Sequence, residues 1–338
     1  MEFDLDRTTQ ERVVSIRILR PYLYAIALAI VLASWISYMT ISHSWPLFNQ
    51  YWPMSLTMLF GSFVAGSTPQ GGAAVAFPVF TKLLHIPPHD SRNFGLMIQS
   101  VGMIMASIFI VARGVPVLPK VIKWATLGGV LGMALGTYVT VIPNPYPRIL
   151  FTIGATAFGI VLFVSRWILR WTPRADLPGW HWGYRSLFIV VGIIGGIFAA
   201  HTGSGADILT FIVLTLMFGI DEKISTPTTV IIMGLNSLVG FFLHAVVSKD
   251  IGIVWYYWLT AVPVVAIGAP LGAYICSRVH RDTIIKFILL LITIEMISTL
   301  LLIPFTPAMQ TVTAAVIGTC AFSFYAMLTY RQRKFKKT

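Results

Sequence analysis

Charge is the scarcest property of this chain. Asp, Glu, Lys and Arg make up 11% of its 338 residues, against about a quarter in a soluble domain. From Pro21 to Thr81 there is none of them. That run excludes an ordinary soluble fold. Cysteine is nearly absent as well. Cys276 ends an apolar segment beside Ser277-Arg278, and Cys320 lies inside another. Two such thiols do not make a disulfide framework or a thiolate metal cluster. No His-Glu-x-x-His, Gly-x-Ser-x-Gly or Walker-type motif occurs. His85 and His89 are four apart, but Pro87-Pro88 between them rules out helical metal-ligand spacing. The expectation is no catalytic residue, no metal and no cofactor.

What is present is apolar. Hydrophobic residues are 57% of the chain and the mean hydropathy is +0.81. This is an all-α polytopic membrane protein. The net charge of +12 sits at the ends of apolar segments, as the positive-inside rule requires, and not on a nucleic-acid-binding face. The basic tail Arg331-Gln332-Arg333-Lys334-Phe335-Lys336-Lys337 reads as a cytoplasmic anchor beside anionic lipid. The apolar segment after Pro21 has no small-residue cleavage site behind it and reads as a retained helix, not a signal peptide.

Single spans are expected at 21–41, 93–112, 121–141, 148–168, 226–247, 252–275, 284–303 and 308–329, each near the ~20 residues that cross a bilayer. Two longer segments, 54–84 and 186–219, are interrupted by small polar residues. The first break reads Gly66-Ser67-Thr68-Pro69-Gln70-Gly71-Gly72, and the second, 134 positions later, Ala200-His201-Thr202-Gly203-Ser204-Gly205-Ala206. Irregular backbone at membrane depth survives only where protein covers it or water fills a cavity. Paired breaks in two halves point to a transport site.

Each long segment is either a broken crossing or a hairpin of two half-helices. If both are hairpins, 20 of the 24 Lys and Arg residues fall on one side, and only Lys82, Arg92, Arg148 and Lys249 on the other. If each crosses once, the split is 16 to 8. The hairpin topology fits the orientation rule better. Arms of ~13 residues at 1.5 Å rise reach ~20 Å, past the middle of the core. Leu131-Gly132-Met133-Ala134-Leu135-Gly136 aligns with Ile267-Gly268-Ala269-Pro270-Leu271-Gly272. Each unit is thus a re-entrant or broken helical hairpin plus three transmembrane helices. That odd number of crossings makes the two repeats inverted, with flanking helices at both ends. The expected segments are 1–20, cytoplasmic; 21–53, first transmembrane helix and outer loop; 54–170, repeat 1; 171–185, cytoplasmic linker; 186–303, repeat 2; and 304–338, last transmembrane helix and basic tail. The Gly-x-x-x-Gly spacings at Gly128, Gly132 and Gly136, and at Gly268 and Gly272, suit close helix packing within one chain or a homodimer contact.

Helices starting near Ala73 and Ala206 would aim unsatisfied N–H groups at a shared cavity, where they suit a small anion. Gly71, Gly72, Gly203 and Gly205 allow close approach, while Thr68, Gln70, Thr202 and Ser204 add hydrogen bonds. The same polar groups can equally serve as caps. Asp207 is a proton site or a helix cap. His201 is a proton relay or a satisfied buried histidine. Glu295, central in the span 284–303, is a proton carrier or a hydrogen-bonded structural acid. Asn236 and Gln99 line the path or bond between helices. Arg92 steers anions at the outer mouth or snorkels to headgroups.

At these residues the chain resembles the sulfite exporter TauE/SafE family of membrane permeases. The resemblance rests on Gly61-Ser62-Phe63-Val64-Ala65-Gly66 through Gly71-Gly72, with Pro78 and the turn Ile86-Pro87-Pro88-His89. Its second copy runs from Gly192 through Gly205, then Gly219-Ile220-Asp221-Glu222-Lys223 and Ser225-Thr226-Pro227-Thr228-Thr229, with Asn236-Ser237-Leu238-Val239-Gly240 following. It covers about 54–330. Pro69-Gln70 and His201-Thr202 replace glycine-richer stretches, and Arg92-Asn93 replaces a Thr/Ser helix start. The resemblance implies a secondary active transporter, an exporter of sulfite, sulfonates or other small organic anions, in the cytoplasmic (inner) membrane of a bacterium. Protons or sodium would be the coupling ion and both termini would be cytoplasmic. A passive gated anion channel and a membrane-bound sulfur-relay protein are the alternatives.

Overall fold

A computed structural model describes residues 22–68, 70–168, 174–279, 281–303 and 305–335. The N-terminal segment 1–20, Pro69, and Lys336 and Lys337 of the tail lie outside the described residues. Among those described the fold is all-helical, with one isolated backbone bridge between Arg174 and Ile220. The helices are α1 (Leu23–Ile41), α2 (Leu47–Ser67), α3 (Ala73–Pro78), α4 (Pro88–Ala112), α5 (Pro119–Tyr138) and α6 (Tyr146–Phe163). They continue as α7 (Trp182–Thr202), α8 (Ala206–Ile212), α9 (Glu222–Phe242), α10 (Val254–Arg278), α11 (Arg281–Leu302) and α12 (Pro307–Phe335). Eight of them, α1, α4, α6, α7, α9, α10, α11 and α12, are long and apolar enough to cross a membrane. Large side chains such as Ile30, Leu301, Phe322 and Tyr325 are exposed around the bundle, as lipid-facing residues must be.

Local sequence sets the helix limits. Pro88 and Pro119 occupy first-turn positions of α4 and α5, where the missing N–H costs nothing. The Asp221 carboxylate accepts from the Lys223 N–H at 2.8 Å and starts α9. Gly203, at φ +84°, ends α7 in the left-handed region that favours glycine.

The helix ends sort onto two faces. At one, Lys120 lies over Trp180, Arg185 over Trp124, and the Arg174 N–H donates to the Gly219 carbonyl. At the other, Tyr51 stacks on Tyr256, His89 meets Asp250, and Ser248 meets Tyr138. We call the first the basic end. α2 enters from the opposite end, stops at Ser67, and α3 returns to that same end before Pro88 opens α4. α7 enters from the basic end, stops at Thr202, and α8 returns to it. The two hairpins therefore enter from opposite faces, the arrangement that charge counting favours.

Packing repeats between the halves. The wide π-helical turn Val79–Leu83 after α3 recurs as Val213–Met217 after α8, 134 positions on. Thr81 and Thr215 each donate to the carbonyl four residues back, Phe77 and Phe211, at 2.8 Å. Both returning arms lie on α6, with Phe77 against Phe151 at 5.0 Å and Phe211 against Phe158 at 5.1 Å. The entering arms are seated on glycines. A Cβ at Gly132 of α5 would fall on the Ile193 carbonyl of α7, and one at Gly272 of α10 on the Phe63 carbonyl of α2. Backbone meets backbone at both seams. The Gly-x-x-x-Gly spacings thus serve packing within the chain.

Lys82 departs from the outer-loop position that charge counting gives it. It is 9% exposed and its Nζ lies 2.7 Å from Glu295 Oε2. It also donates to Thr299 Oγ1 at 2.7 Å and Ser298 Oγ at 2.9 Å. Thr152 of α6 completes the cluster, donating to Glu295 Oε1 at 2.8 Å. The pair pins the returning arm of the first hairpin to α11 and α6. An ammonium buried this deeply needs its counter-ion, which stands 213 positions away.

Two outcomes follow from this packing. Gly132→Ala should separate α5 from α7 and cost about 1–3 kcal/mol. Thermal unfolding in detergent measures this against Gly318→Ala, whose Cβ meets nothing within 4 Å. Lys82→Met strands the Glu295 carboxylate and should cost about 3–5 kcal/mol. The double variant Lys82→Met/Glu295→Gln should recover most of that loss, and additive losses would show that the pair is not coupled.

Candidate functional site

The two breaks meet inside the bundle. Ser204 Oγ lies 3.3 Å from the Gln70 carbonyl oxygen, joining positions that stand 134 apart in the chain. The first tip rests against the middle of two helices. A Cβ at Gly71 would strike the Met233 thioether halfway along α9 and come within 3.3 Å of Gln99 Nε2 on α4. Gly71 also has φ +66°, and it is this conformation that favours glycine there, since the flexible end of Met233 could move. Gly66 has its own tight seat, since a Cβ there would fall on the Ala269 carbonyl of α10.

The first tip is a cradle with one donor left over. The Gln70 N–H donates to Thr68 Oγ1 at 3.3 Å, so Thr68 braces the turn. Gly72 precedes α3, and its carbonyl accepts from the Val75 and Ala76 N–H groups. Gln70 is 4% exposed, and its Nε2 has no hydrogen-bond partner among the described residues. A buried amide donor without an acceptor costs about 1–3 kcal/mol. This tip carries no acid.

The second tip carries its own anion. The Asp207 carboxylate accepts from the Gly205 N–H at 2.7 Å and from Ser204 Oγ at 2.9 Å, and the residue is 1% exposed. It occupies the position at the start of α8 that a ligand anion would otherwise take. Thr202 is turned inward to its own loop, with Oγ1 within 2.8 Å of the Ser204 carbonyl and 3.0 Å of the Phe198 carbonyl. A Cβ at Gly205 would fall on the Gly195 carbonyl, so glycine is what lets α8 fold back against α7.

The other sequence candidates sit around these tips. His201 pairs Nε2 with Thr140 Oγ1 at 2.7 Å, just past the end of α5. Asn236 donates Nδ2 to the Ile232 carbonyl at 2.9 Å and lies where a Cβ at Gly129 would be, so it packs at the α9–α5 contact. Gln99 Oε1 accepts from Ser237 Oγ at 2.9 Å, bonding α4 to α9. The polar partners of Glu295 are Lys82, Thr152 and Thr299, none of them in a tip.

Arg92 has a role that the sequence did not disclose. It is buried, and its Nη1 donates to the Ala200 carbonyl at 2.9 Å. A guanidinium there satisfies a carbonyl at the C-terminal end of α7, where the helix dipole favours a cation. Its Nε and Nη2 bond Asn93 Oδ1, at 3.1 and 2.8 Å. Asp250, in the turn between α9 and α10, lies 3.8 Å from Nη2 and bonds His244 and His89 at 2.9 and 3.0 Å. Burial alone would raise the Asp250 carboxyl, but the hydrogen bonds of His244 and His89 outweigh it and hold it below the usual range. Arg92 therefore neither lines an open mouth nor snorkels to headgroups. It ties α4 to the second tip at the end opposite the basic face. Its target carbonyl is 108 positions away, and no local pattern announces it.

At the basic end a cavity of about 530 Å³ runs inward from Arg113, Lys223 and Arg278 to Gly66 and Ser67 of the first tip. Its walls include Phe109, Phe158, Phe211 and Ile288. Three cations and one acid, Glu222, are thus the charged groups of the lining, with apolar and aromatic surface along the sides and a broken helix at the floor. Among the described residues no group of three or more His, Cys, Asp or Glu side chains could hold a metal ion.

Comparison with known proteins adds an independent line. The protein-family model described as "Sulfite exporter TauE/SafE" matches residues 54–300, a stretch that includes both tips and the helices around them. The chain is 30% identical over 115 residues to the "Probable membrane transporter protein YunE" of Bacillus subtilis (strain 168). That match takes in 33% of this chain and spans only 40% of the relative's length. No solved structure gives a significant match. With the family match extending over most of the chain and the two broken helices at its centre, this protein belongs to the TauE/SafE family of membrane transporters.

Proposed function

We propose that the chain is a secondary active transporter that exports small sulfur-containing or organic anions, such as sulfite or sulfonates, by alternating access around the paired tips. The observation that carries this reading is the unpaired Gln70 Nε2, a buried donor at a broken helix whose preceding residues, Gly66 and Ser67, line the basic-end cavity. An anion there would receive that donor and the free N–H groups at the start of the half-helix. Thr68, Gly71 and Gly72 shape the cradle. Gly203, Ser204 and Gly205 form its facing wall, with His201, Thr202 and Asn236 behind. The charge of Arg113, Lys223 and Arg278 exceeds that of Glu222 in the same lining, and the surplus raises the local concentration of anions.

The basic end is the cytoplasmic face in this reading, by the positive-inside rule, which puts both termini there and the membrane as the bacterial inner membrane. The two halves are inverted repeats, and their relative motion exchanges access between faces. A carrier is favoured over a gated channel because the two ends differ, with a cavity at one and the buried Arg92–Ala200 contact at the other, the asymmetry that alternating access expects. The cavity also exceeds what sulfite alone would fill, which favours organic anions among the cargo.

Purified protein in liposomes should accumulate sulfite or a sulfonate against its gradient when a proton or sodium gradient is imposed. Gln70→Leu should raise the apparent KM about tenfold or more, since a hydrogen bond to a charged group contributes about 1.5–3 kcal/mol. Gly205→Val should abolish flux. Folded protein that moves no anion in a panel of sulfur oxyanions, sulfonates and carboxylates would overturn the transporter reading, and purely downhill flux would favour the channel.

A further inference from the structure

The contact between the tips contains a hydroxyl with two claims on its proton. Ser204 Oγ lies 2.9 Å from Asp207 Oδ2 and 3.3 Å from the Gln70 carbonyl oxygen. Both neighbours are acceptors when Asp207 is ionised, and a hydroxyl has one proton to give. The charged acceptor wins that competition, so the Ser204 proton points to Asp207 and the Gln70 carbonyl is left without it. With Asp207 protonated the roles reverse. The carboxyl Oδ2–H donates to Ser204 Oγ, whose proton turns to the Gln70 carbonyl. One added proton closes a chain of two hydrogen bonds, from Asp207 through Ser204 to Gln70. Asp207 Oδ1 keeps the Gly205 N–H in both states.

We infer that Asp207 is a proton-operated latch between the tips, holding the second tip to the first when protonated and releasing it when ionised. The inference rests on the transport reading only for the use it gives the proton. It also assigns the tips different tasks. The first has an unpaired donor and no acid, whereas the second has an acid whose acceptors are already engaged.

The neighbourhood leaves Asp207 as the group that switches this contact. Of the helices packed against α8, α7 carries Arg185 and His201, α9 carries Glu222 and Lys223, α5 carries Lys120 and Lys123, and α6 carries Arg148. His244 lies beyond the end of α9. Among the described residues none of these makes a hydrogen bond or ion pair with Asp207, whose carboxylate is held by Ser204 Oγ and by backbone N–H groups of Gly205, Asp207 and Ile208. His201, the titratable group nearest in sequence, is engaged with Thr140. At 1% exposure Asp207 exchanges its proton only when the tips part, which is the property a coupling device needs.

The test reads the tips and not transport. Amide hydrogen exchange of the full-length protein in nanodiscs is followed by mass spectrometry at acidic and alkaline pH, with rates corrected for intrinsic exchange. In the unaltered protein, segment 66–72 should be about fivefold better protected at acidic pH, the factor for one net hydrogen bond of about 1 kcal/mol. Asp207→Asn keeps an N–H donor toward Ser204 and should stay protected at both pH values. Ser204→Ala should stay unprotected at both. His201→Gln should retain the pH dependence. Equal protection at both pH values in the unaltered protein overturns the latch, as does a pH dependence that survives Asp207→Asn or vanishes in His201→Gln. Flux without the latch would overturn this inference alone, and a working latch with no flux would overturn the transporter alone.

Discussion

Two helices stop inside an apolar bundle, and everything around them answers the polar backbone groups that those breaks expose. In lipid each unsatisfied N–H or C=O costs several kcal/mol. The chain meets that demand in three ways. The tips lean on each other through Ser204 and Gln70. Side chains from their own loops cap them, Thr68 at the first and Asp207 at the second. A distant cation, Arg92, takes a carbonyl at the end of α7. The glycine seams serve the same end, because an arm that must stop halfway is held along its length by close backbone contact at α5–α7 and α10–α2.

The repeat is faithful in scaffold and unfaithful in chemistry. Turn, threonine brace, aromatic contact and glycine seam recur between the halves. The residue that follows each tip does not. Where the second has Asp207, the position 134 earlier is Ala73. A lone carboxylate beside a half-helix start repels a second anion there, while an uncharged tip with a spare amide attracts one. The two tips thus differ in the charge beside the returning half-helix, as well as in most of their loop residues.

Much of this was legible in the sequence. The apolar, charge-poor composition pointed to the all-helical membrane class, and the small polar runs marked where helices stop inside the bundle. The helix starts at Ala73 and Ala206 fall where the small polar runs end. The pairing of Lys82 with Glu295 and of Arg92 with Ala200 was not legible. Counting treats a charge as belonging to its loop, whereas these two side chains belong to partners 213 and 108 positions away. A buried cation looks like an exposed one until its counter-group is brought beside it. Asp207 and His201 were ambiguous for a related reason. Capping and ligand binding draw on the same residue types, and only the direction of each side chain separates them.

The position equivalent to Arg92 in the second half is Thr226, 134 residues on. Arg92 lies at the end opposite the basic face, and Thr226 lines the cavity at the basic end. An antiparallel duplication left unaltered would present the same energetic profile to both faces. Here one end carries a charge-assisted hydrogen-bond network around Arg92, and the other has only a hydroxyl in the corresponding place. For a carrier this makes the two half-cycles unequal in rate while leaving the equilibrium to the gradients.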